Sequence, residues 1–440
     1  YCLVNQGNGI TKEHPSFKVF IAEVKDIGGG FAGDAKLQSI AANPSEFIIK
    51  HLVAETTRAK TIEWNGEQVA VSGKPFTMVR VAWDWKGYKD TRLLTSSIGF
   101  GEDAKNSGTQ YLAICAGSKD MAMRTGLTSA PQAEWLADPY ERSAEVLNKM
   151  LASHNDYKVF AGMVTRKWIK TPYMAIQYGG GVAALVGSKD YMNNLEDMGF
   201  NTKIDKAVRE IAKLTVEAIK FALGKQITAF IENAQDAIEH ALWVKAGSKF
   251  MTDAQGQVMF DEDGNPVKLL AEHLTYKHID GFHVDHRTKP VELVCNSFNI
   301  NMGGGENGTK IVDFGPKDGT YNIAAKRPTG EEYVRTFVVN FIQGLDALVA
   351  RHVIIKCKEA GLKGINSIHD CFRTNLEDSH KLHKVIADAY KFIFIDNDPV
   401  AHLSKQLEEK YGKGIKPTPF AQTTVTEEIL YSENAYFFCQ

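Results

Sequence analysis

Cysteine is scarce and scattered: Cys2, Cys115, Cys295, Cys357, Cys371 and Cys439 are the only six in 440 residues, with no Cys-x-x-Cys pair. That spacing argues against a zinc module or a disulfide framework and for a reducing compartment. No apolar run approaches the ~18 residues of a membrane span, and no basic, then apolar, then small-residue leader opens the chain. No contact with a membrane is therefore expected. Charge of one sign is missing too, since 51 basic residues balance 53 acidic ones. A strongly cationic nucleic-acid sleeve is excluded, and any polyanion must be met by local charge. There is no repeat of roughly 20–50 residues and no low-complexity tract.

What is present is an ordinary globular mixture, 44% hydrophobic, 24% charged and 10% aromatic. At ~150 residues per domain, the length predicts two or three lobes. The first residue is Tyr1 rather than Met, read as a processed chain or one that begins partway into a longer product. Early on, Val19–Val24 and Phe76–Ala82 have β character, while Pro44–Lys60 reads as a helix with Ser45 as a possible cap. Leu93–Phe100 reads as a strand leading into Glu102-Asp103, and Tyr111–His154 is helical. Lys203–Leu223 and Gln226–Lys245 follow as further helices, the first with an amphipathic stripe. Turn clusters at Asp253 and Asp261 predict hairpins. The glycine-rich stretch through Gly303 and Gly315 reads as an exposed, twisting ribbon. Helical periodicity returns from Glu331 through Arg351. A strand at Gly364–His369 and a helix at Ser379–Phe394 close the pattern.

Three constellations could carry chemistry. The first, Asp103-Ala-Lys-Asn-Ser107-Gly108-Thr-Gln110, puts a carboxylate where a strand gives way to a helix. It could hold a hard cation or merely cap that helix. The second, Ser367-Ile-His369-Asp370-Cys371-Phe372, is a strand end or hairpin turn with another carboxylate, which by itself could be an inert His-Asp pair. Together, two aspartates from distant segments suit a site for two divalent cations; without metal they would repel, and one would tend to protonate. The third is Arg166-Lys167-Trp-Ile-Lys170-Thr-Pro172-Tyr-Met174, running on to Tyr178-Gly179. Arg166, Lys170, Met174 and Tyr178 recur every four residues and would share one helical face over ~18 Å. That face matches a nucleoside triphosphate, with phosphates at the cations and sugar and base near Tyr178. The plainer reading is a solvated basic helix start with a core tyrosine. Pro172 complicates both, because Thr171 as cap with Pro172 at the first helical position would leave Arg166 in the lead-in. The glycine triplets Gly28–30, Gly179–181 and Gly303–305 lack phosphate-loop spacing and read as turns.

In order and spacing, these three segments resemble motifs A, B and C of the single-subunit RNA polymerases of phages and mitochondria. Minor matches are Pro75-Phe76, Asp280-Gly281-Phe282-x-Val284 and Asn340-Phe341. The resemblance implies an α+β right-hand polymerase fold of palm and fingers. Residues 1–130 would form the first part of the palm, 131–339 the fingers, and 340–440 the second part of the palm. A promoter-hairpin-like ribbon is expected at about 291–330. It further implies that Asp103 and Asp370, with the Ala104 carbonyl, bind two magnesium ions. Arg166, Lys170 and His369 would meet the triphosphate, Lys170 would protonate pyrophosphate, and Tyr178 with Gly179 would favour ribonucleotides. Template DNA, ribonucleoside triphosphates and an RNA product follow.

The family's thumb, N-terminal promoter domain and Asp-x-x-Gly-Arg element would lie upstream of motif A, and that arginine is expected just before Tyr1. The chain is therefore similar to the larger, C-terminal subunit of the two-subunit enzyme of N-four-type lytic phages. That resemblance implies a smaller partner carrying the thumb and Gly-Arg element, in the cytoplasm of an infected bacterium. Gln343 stands where relatives often have histidine, and Arg373 where motif C often has glycine. A DNA polymerase or reverse transcriptase of the same architecture, or a non-catalytic nucleic-acid-binding assembly subunit, remain as alternatives.

Overall fold

The computed structural model describes residues 9–131, 136–177, 180–245, 256–258, 260, 266, 273–287, 292–294, 324–326, 330–416 and 424–439. The first elements are helices α1 (Ser16–Gly28), α2 (Asp34–Ala42) and α3 (Pro44–Thr57), the hairpin of β1 (Thr61–Trp64) with β2 (Glu67–Ala70), and helix α4 (Pro75–Thr91). Val19–Val24 is thus helical, not β. Phe20 and Val24 lie on a repeat with Phe17 and Ile27, all four buried, and burying one helical face outweighs the local β propensity of Val19, Ile21 and Val24. Phe76–Ala82 is helical for the same reason, with Pro75 at the first position and Met78, Val81, Ala82 and Tyr88 buried. Ser45 does not cap α3, because Asn43 occupies the cap position and Pro44 begins the helix.

Strand β3 (Phe100–Ala104) begins where the sequence suggested a strand would end, so Asp103 lies within it. Before it, Leu94 makes an isolated bridge to Ile10. Helices α5 (Ser107–Ala116), α6 (Lys119–Arg124), α7 (Pro139–Ser153), α8 (Arg166–Gln177), α9 (Val182–Val186), α10 (Lys189–Asp197), α11 (Asp205–Leu223) and α12 (Lys225–Lys245) follow. Strand β4 (His273–Lys277) pairs with β5 (His283–Arg287) across a turn at Asp280-Gly281. Strand β6 (Glu292–Val294) pairs antiparallel with β7 (Ala324–Lys326), so the two ends of the expected ribbon form a ladder. Its interior, with the triplet Gly303–305, lies outside the described residues, as do 253–255 and 261–265 of the two turn clusters; Phe260 and Pro266, on either side of the second, make an isolated antiparallel bridge.

Helix α13 (Gly330–Glu359) precedes the hairpin of β8 (Asn366–Ile368) and β9 (Cys371–Thr374). Helices α14 (Leu382–Phe394), α15 (Pro399–Tyr411) and α16 (Glu427–Leu430) and strand β10 (Phe438–Cys439) complete the chain. One expectation needs correcting here: Tyr333–Glu359 is long and apolar enough, by length and composition, to cross a membrane. In this fold it is a core helix, with Phe337, Leu345, Leu348 and Val353 fully buried against the rest of the protein.

Four strands form one antiparallel sheet in the order β10-β3-β9-β8. Burial on β3 alternates, so that Phe100 and Glu102 are buried on one side while Gly101 and Asp103 face the other. Two hydrophobic cores flank this sheet. One gathers Ile10 through Phe100 with Leu376, and the other gathers residues from Tyr111 to Phe438. The result is a mixed α+β architecture, rich in helix. A β-carbon at Gly101 would collide with the Phe372 carbonyl and the Arg373 side chain on β9, so only glycine lets the two strands close. Gly101→Ala is therefore expected to lower stability by about 1–3 kcal/mol. A thermal melt followed by circular dichroism reads this directly, and an unchanged midpoint would mean that β3 is not held against β9 in this way.

Candidate active site

The two aspartates come together through strand pairing. β8 and β9 are joined by a two-residue turn, His369-Asp370, closed by the pair Ile368 and Cys371. His369 carries the positive φ, +54°, that such tight hairpins require at a central residue, an unusual conformation for a side chain other than glycine. β9 then pairs with β3, with Asp103 opposite Cys371, and the Ala104 N–H donates to the Asp370 carbonyl at 3.3 Å. Asp370 is thus anchored by its backbone one step from Asp103. Burial raises the pKa of Asp103, and the neighbouring Asp370 charge raises it further; a backbone hydrogen bond and the cations Arg373 and Lys170 act the other way. Asp103 does not cap α5, whose cap position is Asn106 in a left-handed conformation.

Helix α8 begins at Arg166 and runs through Pro172, so the alternative start at Pro172 does not hold. Proline removes the N–H that would bond the carbonyl of Trp168. In its place Asn194 Nδ2 reaches that carbonyl at 3.5 Å, while Trp168 Nε1 donates to the Asn194 carbonyl at 3.1 Å. The stripe Arg166, Lys170, Met174 is held by one residue that the sequence reading passed over, Tyr140. The Arg166 guanidinium lies 5.2 Å and the Lys170 ammonium 5.8 Å from its ring, and its hydroxyl meets the Met174 sulfur at 3.4 Å. Arg166 Nε also pairs with Asp138 at 2.6 Å, while the same carboxylate caps α7. The signal was available in Asp138-Pro139, a cap followed by a first-position proline. Tyr178 and Gly179 lie outside the described residues.

Asp103, Ala104, Arg166, Lys170, His369 and Asp370 all line one cleft of about 1120 Å³. A further carboxylate, Asp346 on α13, opens onto it with Gln343. Burial and then the Asp370 charge push Asp346 up to about 6, opposed by a hydrogen bond from the Tyr111 hydroxyl. The signal in the sequence was its isolation, as the one ionisable residue between Phe337 and Ala350. Gln110 has a structural role: its amide donates to the carbonyls of Lys105, Thr125 and Phe437 and accepts from Tyr390. It thereby ties the loop after Asp103 to the C-terminal strand.

No group of three or more His, Cys, Asp or Glu side chains able to hold a metal occurs among the described residues. That composition still fits magnesium, which keeps several waters and is bound through one or two carboxylates plus substrate phosphates. Two adjacent, mutually repelling carboxylates supply that donor set. The Ala104 carbonyl accepts from Asn106 N–H at 3.0 Å, and its second lone pair is free to assist.

Residues 320–436 match the family described as DNA-dependent RNA polymerase. The matched stretch contains α13, the His369-Asp370 turn and β9, whereas Asp103, Arg166 and Lys170 precede it. No curated protein matches the chain. Over those residues the chain is similar to DNA-dependent RNA polymerases.

Asp346 gives a pH signature. Between the usual 3.8 and about 6 the folded chain holds a proton that the unfolded chain has released, so stability falls as pH rises through that window. Asp346→Asn keeps an acceptor for Tyr111 and is expected to stabilise the protein above neutrality, by on the order of 2 kcal/mol after allowance for partial exposure. The gain should vanish on acidification through that window in melts run against pH; a gain independent of pH would contradict this environment for Asp346.

Proposed function

We propose that this chain is the catalytic subunit of a phage DNA-directed RNA polymerase. The observation that carries the reading is the meeting of Asp103, on β3, with Asp370, in the turn that leads into the neighbouring strand β9, at one cleft with Arg166 and Lys170. Residues 1–130 and 340–440 are read as palm and 131–339 as fingers, with the β6–β7 ladder as the base of a promoter-reading hairpin.

In this reading Asp103 and Asp370, assisted by the Ala104 carbonyl, hold two magnesium ions. Those ions supply activation of the attacking oxygen and neutralisation of charge at the leaving one. Arg166 and Lys170, backed by Tyr140, receive the triphosphate, and His369, lining the same cleft, also meets it. The guanidinium has five N–H donors and Asp138 engages Nε, so donors remain for phosphate oxygens. The RNA 3′-oxygen attacks the α-phosphate in line, the bond to the β-phosphate oxygen breaks, and Lys170 gives its proton to the departing pyrophosphate. The work of the protein is positioning and charge stabilisation. Tyr178 and Gly179 are assigned to the sugar and base, favouring ribonucleotides. The reading extends to a smaller companion subunit with the thumb and Gly-Arg element, in the cytoplasm of an infected bacterium. The near-even charge of this chain suits a clamp completed by a partner.

The test is nucleotide addition by the chain together with any co-purifying companion. Asp370→Asn is expected to leave DNA binding near normal and to cut magnesium-dependent addition by more than about 100-fold, beyond what outer-shell changes cost. Robust residual synthesis would contradict the assignment.

A further inference from the structure

Arg373 stands on β9 where the resembled family often has glycine, and neither the sequence motifs nor the chemistry above uses it. Its surroundings are built to hold it. Cys371 and Arg373 alternate with buried Phe372 and Thr374, and Arg373 pairs across the ladder with Gly101. Arg373 therefore sits two residues along the sheet from the level of Asp103, about 7 Å away on the same face. A β-carbon at Gly99 would lie 3.2 Å from its Cβ and 3.5 Å from its Cδ, and one at Gly101 would overlap its stem. Two glycines on the opposing chain thus leave a trough that the arginine stem fills.

Arg373 lines the same cleft as Asp103 and Arg166. Burial works against its charge, but a hydrogen bond to the Cys371 side chain and the charges of Glu23 and Asp103 outweigh that effect. Glu23 is a poor counter-ion, because its own burial raises its pKa. The Arg373 Nε is buried with no hydrogen-bond partner. A half-buried cation held at the cleft, on the order of one nucleotide from the reacting end, matches an anionic oxygen on a polymer backbone.

We propose that Arg373 grips the backbone phosphate of the RNA strand next to its reacting 3′ end. This rests on the polymerase reading, and Arg373 on it is a product-strand contact separate from the triphosphate-binding Arg166 and Lys170. The experiment measures binding of a short RNA–DNA hybrid against salt concentration, by fluorescence anisotropy, for the chain with any companion that co-purifies. A second hybrid carries one uncharged methylphosphonate at the last RNA linkage. Arg373→Ala is expected to weaken binding of the natural hybrid about 10-fold or more and to flatten the log–log salt slope by about 0.7–0.9. It should lose little further on the uncharged hybrid, and Arg373→Lys should recover much of the slope. An unchanged slope in Arg373→Ala would overturn the proposal. Equal losses on both hybrids, or the same loss from Glu23→Gln with a lowered melting midpoint, would make the residue a strut between α1 and the sheet and also overturn it. If the wild type adds nucleotides while any of these holds, only the Arg373 assignment falls. If it neither binds hybrid nor adds nucleotides, the polymerase reading falls with it.

Discussion

Two like charges are forced together by a backbone ladder, and much of the rest of the molecule serves to make that tolerable. Asp103 lies on a strand whose partner begins immediately after Asp370, and the pairing fixes their proximity regardless of what the side chains prefer. Desolvation and then the neighbouring Asp370 charge disfavour the ionised form of Asp103. The closure itself depends on Gly101, which admits the Phe372 carbonyl, and on a turn that places His369 at positive φ. Backbone strain of this kind, on the order of 1–3 kcal/mol, persists only where the surrounding structure over-determines it. Here that structure is a sheet clamped between two cores.

The opposing wall of the cleft shows the same economy. A single aromatic ring, Tyr140, stands under two cations and a methionine that recur every fourth residue on α8. A proline lies inside that helix, and Asn194 takes the carbonyl it leaves unbonded. Behind the carboxylates, Gln110 joins the loop after Asp103 to Phe437 and Tyr390, so the C-terminal strand β10 and the strand that bears Asp103 are held as one unit. The position of the carboxylate thus depends on contacts more than 300 residues away in sequence, such as that from Gln110 to Phe437.

Much of the candidate site was legible in the sequence because chemistry-bearing residue types cluster in short segments. Asp103, Asp370, Arg166 and Lys170 could be named from such segments, and one cleft contains all four. The amphipathic helices were legible too, since their stripes are long. What could not be read were elements decided by tertiary burial. Val19–Val24 looks like a strand until Phe17 and Ile27 extend its period to that of a helix, and Tyr333–Glu359 is apolar because it is a core. Asp346, Tyr140 and Arg373 were missed or left without a role because each acts through a neighbour far away in the chain. Their significance is a matter of packing, which local spacing does not encode.

The adjacency of the two carboxylates is best tested by titrating the Asp103 carboxyl itself, by isotope-edited infrared or NMR spectroscopy, in the metal-free protein. The account predicts a pKa above the ordinary carboxylate range that falls when residue 370 loses its charge in Asp370→Asn, and that falls in the wild type when magnesium is added. A carboxyl that titrates at the same pH whatever stands at position 370, with or without the cation, would contradict it.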